Sequence, residues 1–257
     1  MNSSKYIEFS EATLLLNHLK TINPEYGIEI ILPKKEWPRL KSNLSPQAMA
    51  IIHEHHKVFK NASGNDFGLK FIIGASASAD LWIHILDENK NIIGFSTNQS
   101  HEIDKLNVNF FRTTFLNKII QGVEIHPFMQ NLKLAVLPAD IIIARTQHPI
   151  IYKNFKTLCT NHGMIFNPTV DRVSPEVIAI GNKLGLNIDE EAICRGVIQG
   201  EVLIKTPVIP KEISPLWNKM NLKNGDVLFI SGYKKNLLKL DNKSLNLSDF
   251  KGYSHKF

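Results

Sequence analysis

Glu54 and Asp80 are the two carboxylates whose positions could support chemistry. Glu54 lies in "QAMAIIHEHHKVFKN", where Ile51, Glu54 and Val58 are spaced by three and four residues and so share a helix face. That face borders the apolar stripe of Ala48, Ile52, His55 and Phe59, an odd setting for an unpaired acid. Asp80 opens "DLWIHIL", whose alternation puts Asp80, Trp82 and His84 on one side of a strand. Acids brought from two elements to one edge can hold Mg²⁺ through oxygen ligands and activate a water for in-line attack on a phosphodiester. Lys90, in the turn "DENKN", and Lys105, beyond the next strand, are the cations expected to assist. The expected catalytic set is Glu54, Asp80, Lys90 and Lys105, with Glu54 and Asp80 as the metal ligands.

Other chemistry-bearing residues form smaller groups. Arg145 ends the apolar run "ADIIIAR", and Glu201 stands in "VIQGEVLIKTP". His53 and His56 are three apart on one helix face and could share a metal, but the His-Glu-x-x-His signature fails because residue 57 is lysine. Cys194 is followed by Arg195, which could lower a thiol pKa, whereas Ile193 and Val197 favour a buried, inert cysteine. Cys159 is the only other thiol, so neither a disulfide framework nor a Cys-x-x-Cys zinc pair is available.

The elements that must position these groups follow from capping and periodicity. Ser10 caps "EATLLLNHLKTI", "YGIEIIL" reads as a strand, and Ser45-Pro46 opens the helix that carries Glu54. "GLKFIIGAS", "DLWIHIL" and "NIIGFSTN" read as three strands of a meander, and "NVNFFRTTFLNKIIQG" as an amphipathic helix. "LKLAVLPADIIIAR" supplies an apolar strand bent at Pro138. Helices follow from Pro149 and from Ser174-Pro175, closed by Gly163 and Gly185. Beyond that the chain turns β-rich: "AICRGVI", "GEVLIKT", "GDVLFIS" and "NLLKL". The fold class expected is α/β or α+β, a mixed sheet with flanking helices and a β-rich C-terminal part. Residues 1–150 form the core, and residues 151–257 a helical, then β-rich basic part packed on it as one compact unit.

Charge and hydropathy bound the partners. The net charge is +6, and from Lys211 onward nine lysines stand against four acids, so nucleic acid is an expected partner of the C-terminal part. No apolar run is long enough to span a membrane, and the N-terminus lacks a cleavable signal pattern. The location expected is cytoplasmic, or secreted without a cleavable signal peptide.

Over residues 45–145 the order of elements resembles the core of the PD-(D/E)xK nucleases, with Glu54 on the helix and Asp80 on the second strand. The third position of that pattern, an acid followed two residues later by lysine, is here Ser96-Thr97-Asn98. The resemblance implies a Mg²⁺-dependent endodeoxyribonuclease. Residues 138–206 resemble the ADP-ribosyltransferases, with Gln199-Gly-Glu201 as the strand motif and Arg145 as the NAD-binding arginine. The Ser-Thr-Ser strand of that family is missing, Ser174 being its nearest counterpart. This second resemblance implies NAD as cofactor and a secreted effector. A non-enzymatic binding module is the third reading.

Overall fold

The computed structural model describes residues 9–38, 40, 44–198, 208–235 and 237. The first helix, α1 (Ser10–Ile22), leads to β1 (Gly27–Ile31) and a single turn, α2 (Pro33–Glu36). Helix α3 (Pro46–Ser63) begins where the Ser45 side chain accepts the Ala48 N–H at 3.2 Å, with proline in the first turn. It stops at Gly64, which takes the left-handed conformation (φ 71°) that costs glycine little. After α4 (Leu69–Ala77), strands β2 (Leu81–Leu86), β3 (Ile92–Ile103) and β4 (Leu106–Leu116) continue the antiparallel meander begun by β1. Helix α5 (Ile125–Val136) crosses to β5 (Ile141–Thr146), which pairs with β4 in parallel. Then come α6 (Pro149–Asn161), β6 (Met164–Asn167), α7 (Pro175–Lys183), β7 (Ile193–Cys194), the single turn α8 (Ser214–Trp217) and β8 (Val227–Lys234).

Among the described residues these strands form one eight-stranded mixed sheet, ordered β1-β2-β3-β4-β5-β8-β6, with β7 pairing β8. Helices cover both faces, so the mixed α/β class expected from the sequence is the one observed. On one face α1, α5 and α6 cover Leu81, Ile83, Phe111 and Ile142. On the other, α3 and α4 cover Trp82 and Phe95, and α7 covers Val108 and Phe110. No helix among the described residues is long and apolar enough to cross a membrane.

Three element assignments are corrected. "GLKFIIGAS" forms helix α4, because Ile72, Ala75 and Ser76 recur at helical spacing and bury one stripe. "NVNFFRTTFL" is strand β4. Its register against β3 slips between Thr97 and Asn98, leaving Arg112 as an extra residue. Arg112 and Thr113 therefore lie on one side of the sheet in succession, and strict alternation is lost. The "LKLAV" part of the expected fifth strand belongs to α5. "GEVLIKT" and most of "NLLKL" lie outside the described residues.

Asp226 ties the C-terminal region together. It is 1% exposed, accepts the Asn221 and Gly196 N–H groups at 3.0 Å each, and pairs with Arg195 at 3.0 Å. Burial pushes its carboxyl up, but these donors outweigh that and hold it below the ordinary aspartate range. Asp226→Ala should lose about 2–4 kcal/mol, because two backbone donors and a guanidinium lose their acceptor. A urea titration showing an unchanged midpoint would contradict this.

Candidate active site

The parallel pairing of β4 with β5 is short. It runs from Val108–Ile141 to Phe111–Ala144, and among the described residues the ladder ends there. Strand β4 continues to Leu116 and β5 to Thr146, so the two strands part, and peptide groups that would have closed the ladder face a gap. The bulge at Arg112 stands at the fork. A cavity of about 700 Å³ fills the gap and reaches both faces of the sheet. Its walls come from Arg112–Leu116 of β4, Ala144–His148 at the end of β5, and the facing sides of α5 and α6.

Lys133 is the least expected group in that wall. It is 1% exposed, donates from Nζ to Thr114 Oγ1 at 2.6 Å, and lies 5.0 Å from the centre of the Phe111 ring. No acid pairs with it among the described residues, and burial pushes its ammonium down to about 7. Near neutral pH a large share of this amine is unprotonated. Beside it, burial first and then the Lys133 and His148 charges push His126 down to about 3. His126 Nδ1 and Gln130 Oε1 are covered and have no partner among the described residues, so both are available to a ligand. Burial also lowers His148, whose Nδ1 accepts the Ile150 N–H and caps α6.

Two arginines complete the lining. Arg112 donates to Ser78 Oγ at 2.7 Å, and burial, reinforced by Arg145, pushes its guanidinium down to about 10. Arg145 lies over the Phe110 ring at 5.5 Å and beside the Cys194 thiol. Burial dominates that thiol and drives it up to about 11, so Cys194 is a neutral neighbour and not a nucleophile.

A second buried polar cluster lies on the α3 face of the sheet. His55 Nδ1 is 2.9 Å from Ser76 Oγ, and His55 Nε2 is 2.8 Å from His84 Nε2. His84 Nδ1 is 2.8 Å from the Glu29 carboxylate. One proton arrangement satisfies every contact. Ser76 can donate to His55, His55 to His84, and His84 to Glu29. His55 stacks on Phe95 at 4.2 Å, and burial holds its pKa well below the usual histidine range.

The residues singled out from sequence take other places. Asp80 pairs with Lys34 at 2.7 Å and accepts the Ser100 N–H at 2.9 Å, tying α2 to β3. Glu54 is paired with Lys57, one turn along α3. Lys90 and Lys105 sit in the two hairpin turns of the meander with positive φ. His56 is bonded to Asp66. Arg145 alone of these lines the cavity, and Glu201 lies outside the described residues. No three metal-ligating side chains cluster among the described residues. Of the C-terminal lysines, Lys219 and Lys234 pair with Glu191 and Asp140, and Lys239, Lys243, Lys251 and Lys256 lie outside the described residues. Sequence reasoning missed Lys133 and Arg112. The available signal was a lysine four residues after Met129, inside the apolar stripe of α5.

No protein-family model and no curated relative matches the chain. Among solved structures, it is similar to a GNAT-family acetyltransferase from Streptococcus pneumoniae (10% identity, 80% of this chain and 98% of that one, TM-score 0.38). It is also similar to a GNAT-family N-acetyltransferase from Escherichia coli in complex with CoA (10% identity, 55% and 68%, TM-score 0.37). A third is a fungal multi-domain β-N-acetylglucosaminidase with a glucosamine N-acetyltransferase region (12% identity, TM-score 0.38), of which this chain spans 21% while 66% of this chain is covered. At such values the likeness assigns neither substrate nor residues to this chain.

The nuclease, ADP-ribosyltransferase and binding-module expectations are corrected. The neighbours are acetyltransferases. In the chain itself, Ser96 is bonded to Thr114 and Asn98 to Asn109 where the nuclease pattern needs an acid and a lysine. Ser174 precedes a helix and does not lie on the strand that the NAD-binding pattern needs. Mg²⁺ and NAD fall with those readings.

Proposed function

We propose that the chain transfers an acyl group from a thioester carrier to an amine in the cleft between β4 and β5. The observation that carries this reading is the parting of two parallel strands beside a buried amine whose ammonium burial lowers to about 7. Open strand edges pair with an extended ligand that has amide groups of its own, as an added strand would. An acyl carrier with a pantetheine-like arm, the chemistry of CoA, is such a ligand. His126 Nδ1 and Gln130 Oε1 supply further polar contacts that the protein leaves unused.

A bound thioester supplies the activated acyl group. The residues of the chain position the partners and move a proton. The bulge at Arg112 turns strand N–H groups into the fork, where they can hold a carbonyl oxygen. Lys133 takes the proton that the acceptor nitrogen loses as its bond to the acyl carbon forms; the carbon–sulfur bond of the thioester then breaks, and that proton passes to the departing sulfur, which leaves as the free thiol. Thr114 Oγ1 fixes the Lys133 amine toward that point.

The test measures free thiol released from acetyl-CoA in the presence of a panel of primary amines, alongside the thermal midpoint with CoA alone. Thiol release and a raised midpoint are expected in the wild type. Asn154→Trp, which fills the cleft from α6, should abolish both and leave the circular dichroism spectrum unchanged. No thiol release and no CoA-dependent midpoint shift would end this reading.

A further inference from the structure

The cavity wall holds three cationic side chains, Arg112, Lys133 and Arg145, and none has a carboxylate partner among the described residues. Several cations elsewhere do have acid partners: Arg195 with Asp189, Glu191 and Asp226, Lys34 with Asp80, and Lys183 with Asp104. Among the described residues the one acid that lines the cavity, Glu124, is exposed before the start of α5. Arg112 and Arg145 are close enough to repel, since the Arg145 charge pushes Arg112 down. Their neighbours are neutral: Ser78 for Arg112, and the Phe110 ring and the Cys194 thiol for Arg145. Like charges kept together in a dry wall cost free energy unless an anion joins them. Guanidinium groups suit planar, two-oxygen anions in particular.

We infer that the amine accepted at this site carries an anionic group, a carboxylate or phosphate, held by Arg112 and Arg145. The inference rests on the transfer reading for the amine and on the arginines for the anion. An anion of the carrier is the other source of the same chemistry. The acceptor is favoured because Arg112 stands at the fork itself, where the cavity passes through the sheet from the Arg112 side to the side on which Thr114 holds the Lys133 amine. An anionic tether there leaves the acceptor nitrogen facing Lys133.

Matched amines separate the cases: L-tyrosine against tyramine, and phosphoethanolamine against ethanolamine. The donor is the acetyl thioester of N-acetylcysteamine, which has no phosphate. Two readouts are taken, the thermal midpoint with each amine alone and the rate of thiol release. The anionic member of each pair should raise the wild-type midpoint and react at least about 10-fold faster in kcat/KM. In Arg112→Gln and Arg145→Gln the midpoint shift should vanish, and KM for the anionic amine should rise about 10- to 100-fold with a smaller change in kcat. The wild-type comparison stands even if a variant fails to fold.

If tyramine and ethanolamine bind and react as well as their anionic partners, the inference fails and the transfer reading survives. If anionic amines shift the midpoint through the arginines and no amine releases thiol, the anion site stands and the transfer reading fails. If only CoA shifts the midpoint in an arginine-dependent way, the anion belongs to the carrier and the inference is overturned.

Discussion

In a Lys133→Met variant, acyl transfer should fall by about 10²- to 10⁴-fold, the usual contribution of a positioned general base. The same variant should be more stable than the parent. Lysine is charged below about pH 10.5 in an unfolded chain, whereas burial holds Lys133 down to about 7 in the fold. Between those values the unfolded state binds the extra proton, so stability rises with pH across that window. Below pH 7 both states carry the charge, and the folded state bears the whole cost of burying it. Methionine fills a similar volume without that cost, and the gain at pH 6 is on the order of 5 kcal/mol as an upper bound. It should shrink toward zero as the pH approaches about 10.5. Wild-type turnover should rise with pH through about 7, because the unprotonated amine is the acting form. Chemical denaturation at pH 6 and pH 10, with a pH–rate profile, checks all three. A Lys133→Met protein that is less stable at pH 6 and fully active would remove Lys133 from the site.

His84→Ala is expected to have the largest effect on folding, a loss of about 3 kcal/mol or more. The substitution leaves the His55 Nε2 donor and the Glu29 carboxylate without their central partner and opens a gap under Trp82. The intact cluster also makes the fold acid-sensitive. The folded pKa of His55 lies well below 6.5, so an unfolded chain takes up a proton first as pH falls past that value, and stability drops. The hydrogen bond from His84 lowers Glu29 against the opposing effect of burial. Its contribution is present above about pH 4.5 and is lost as pH falls through the folded value. Melting curves from pH 7 down to about pH 3 should show a two-stage decline in the wild type, and His55→Phe should shrink the upper stage, to which buried His126 and His148 also contribute. A pH-independent midpoint in the wild type would contradict the neutral assignment of His55.

Much of the frame was legible in the sequence because the signals were local. Ser45-Pro46, Pro149 and Pro175 mark helix starts that the structure keeps, and "DLWIHIL" and "GDVLFIS" become β2 and β8. The failures have specific causes. In β4 the extra residue at Arg112 breaks the period of two, so Val108, Phe111 and Phe115 fall at helical spacing. In α4 an apolar run with two isoleucines hides a helical stripe of small residues. The site was hidden for the same reason. It lies where β4 and β5 part, and with β4 read as a helix no such fork exists. Lys133 looked like an ordinary surface lysine, because its burial depends on α5 packing against Phe111 and Thr114 of a distant strand.

Strand β8 lies between β5 and β6, and its pairing with β5 joins stretches far apart in the chain. Such non-local pairing is slow to form. During synthesis the earlier strands can zip up as the polypeptide emerges, but the open edge of β5 waits until residue 234 has cleared the ribosome. Until then the nascent chain exposes an apolar strand flank that is prone to capture by chaperones or by another copy.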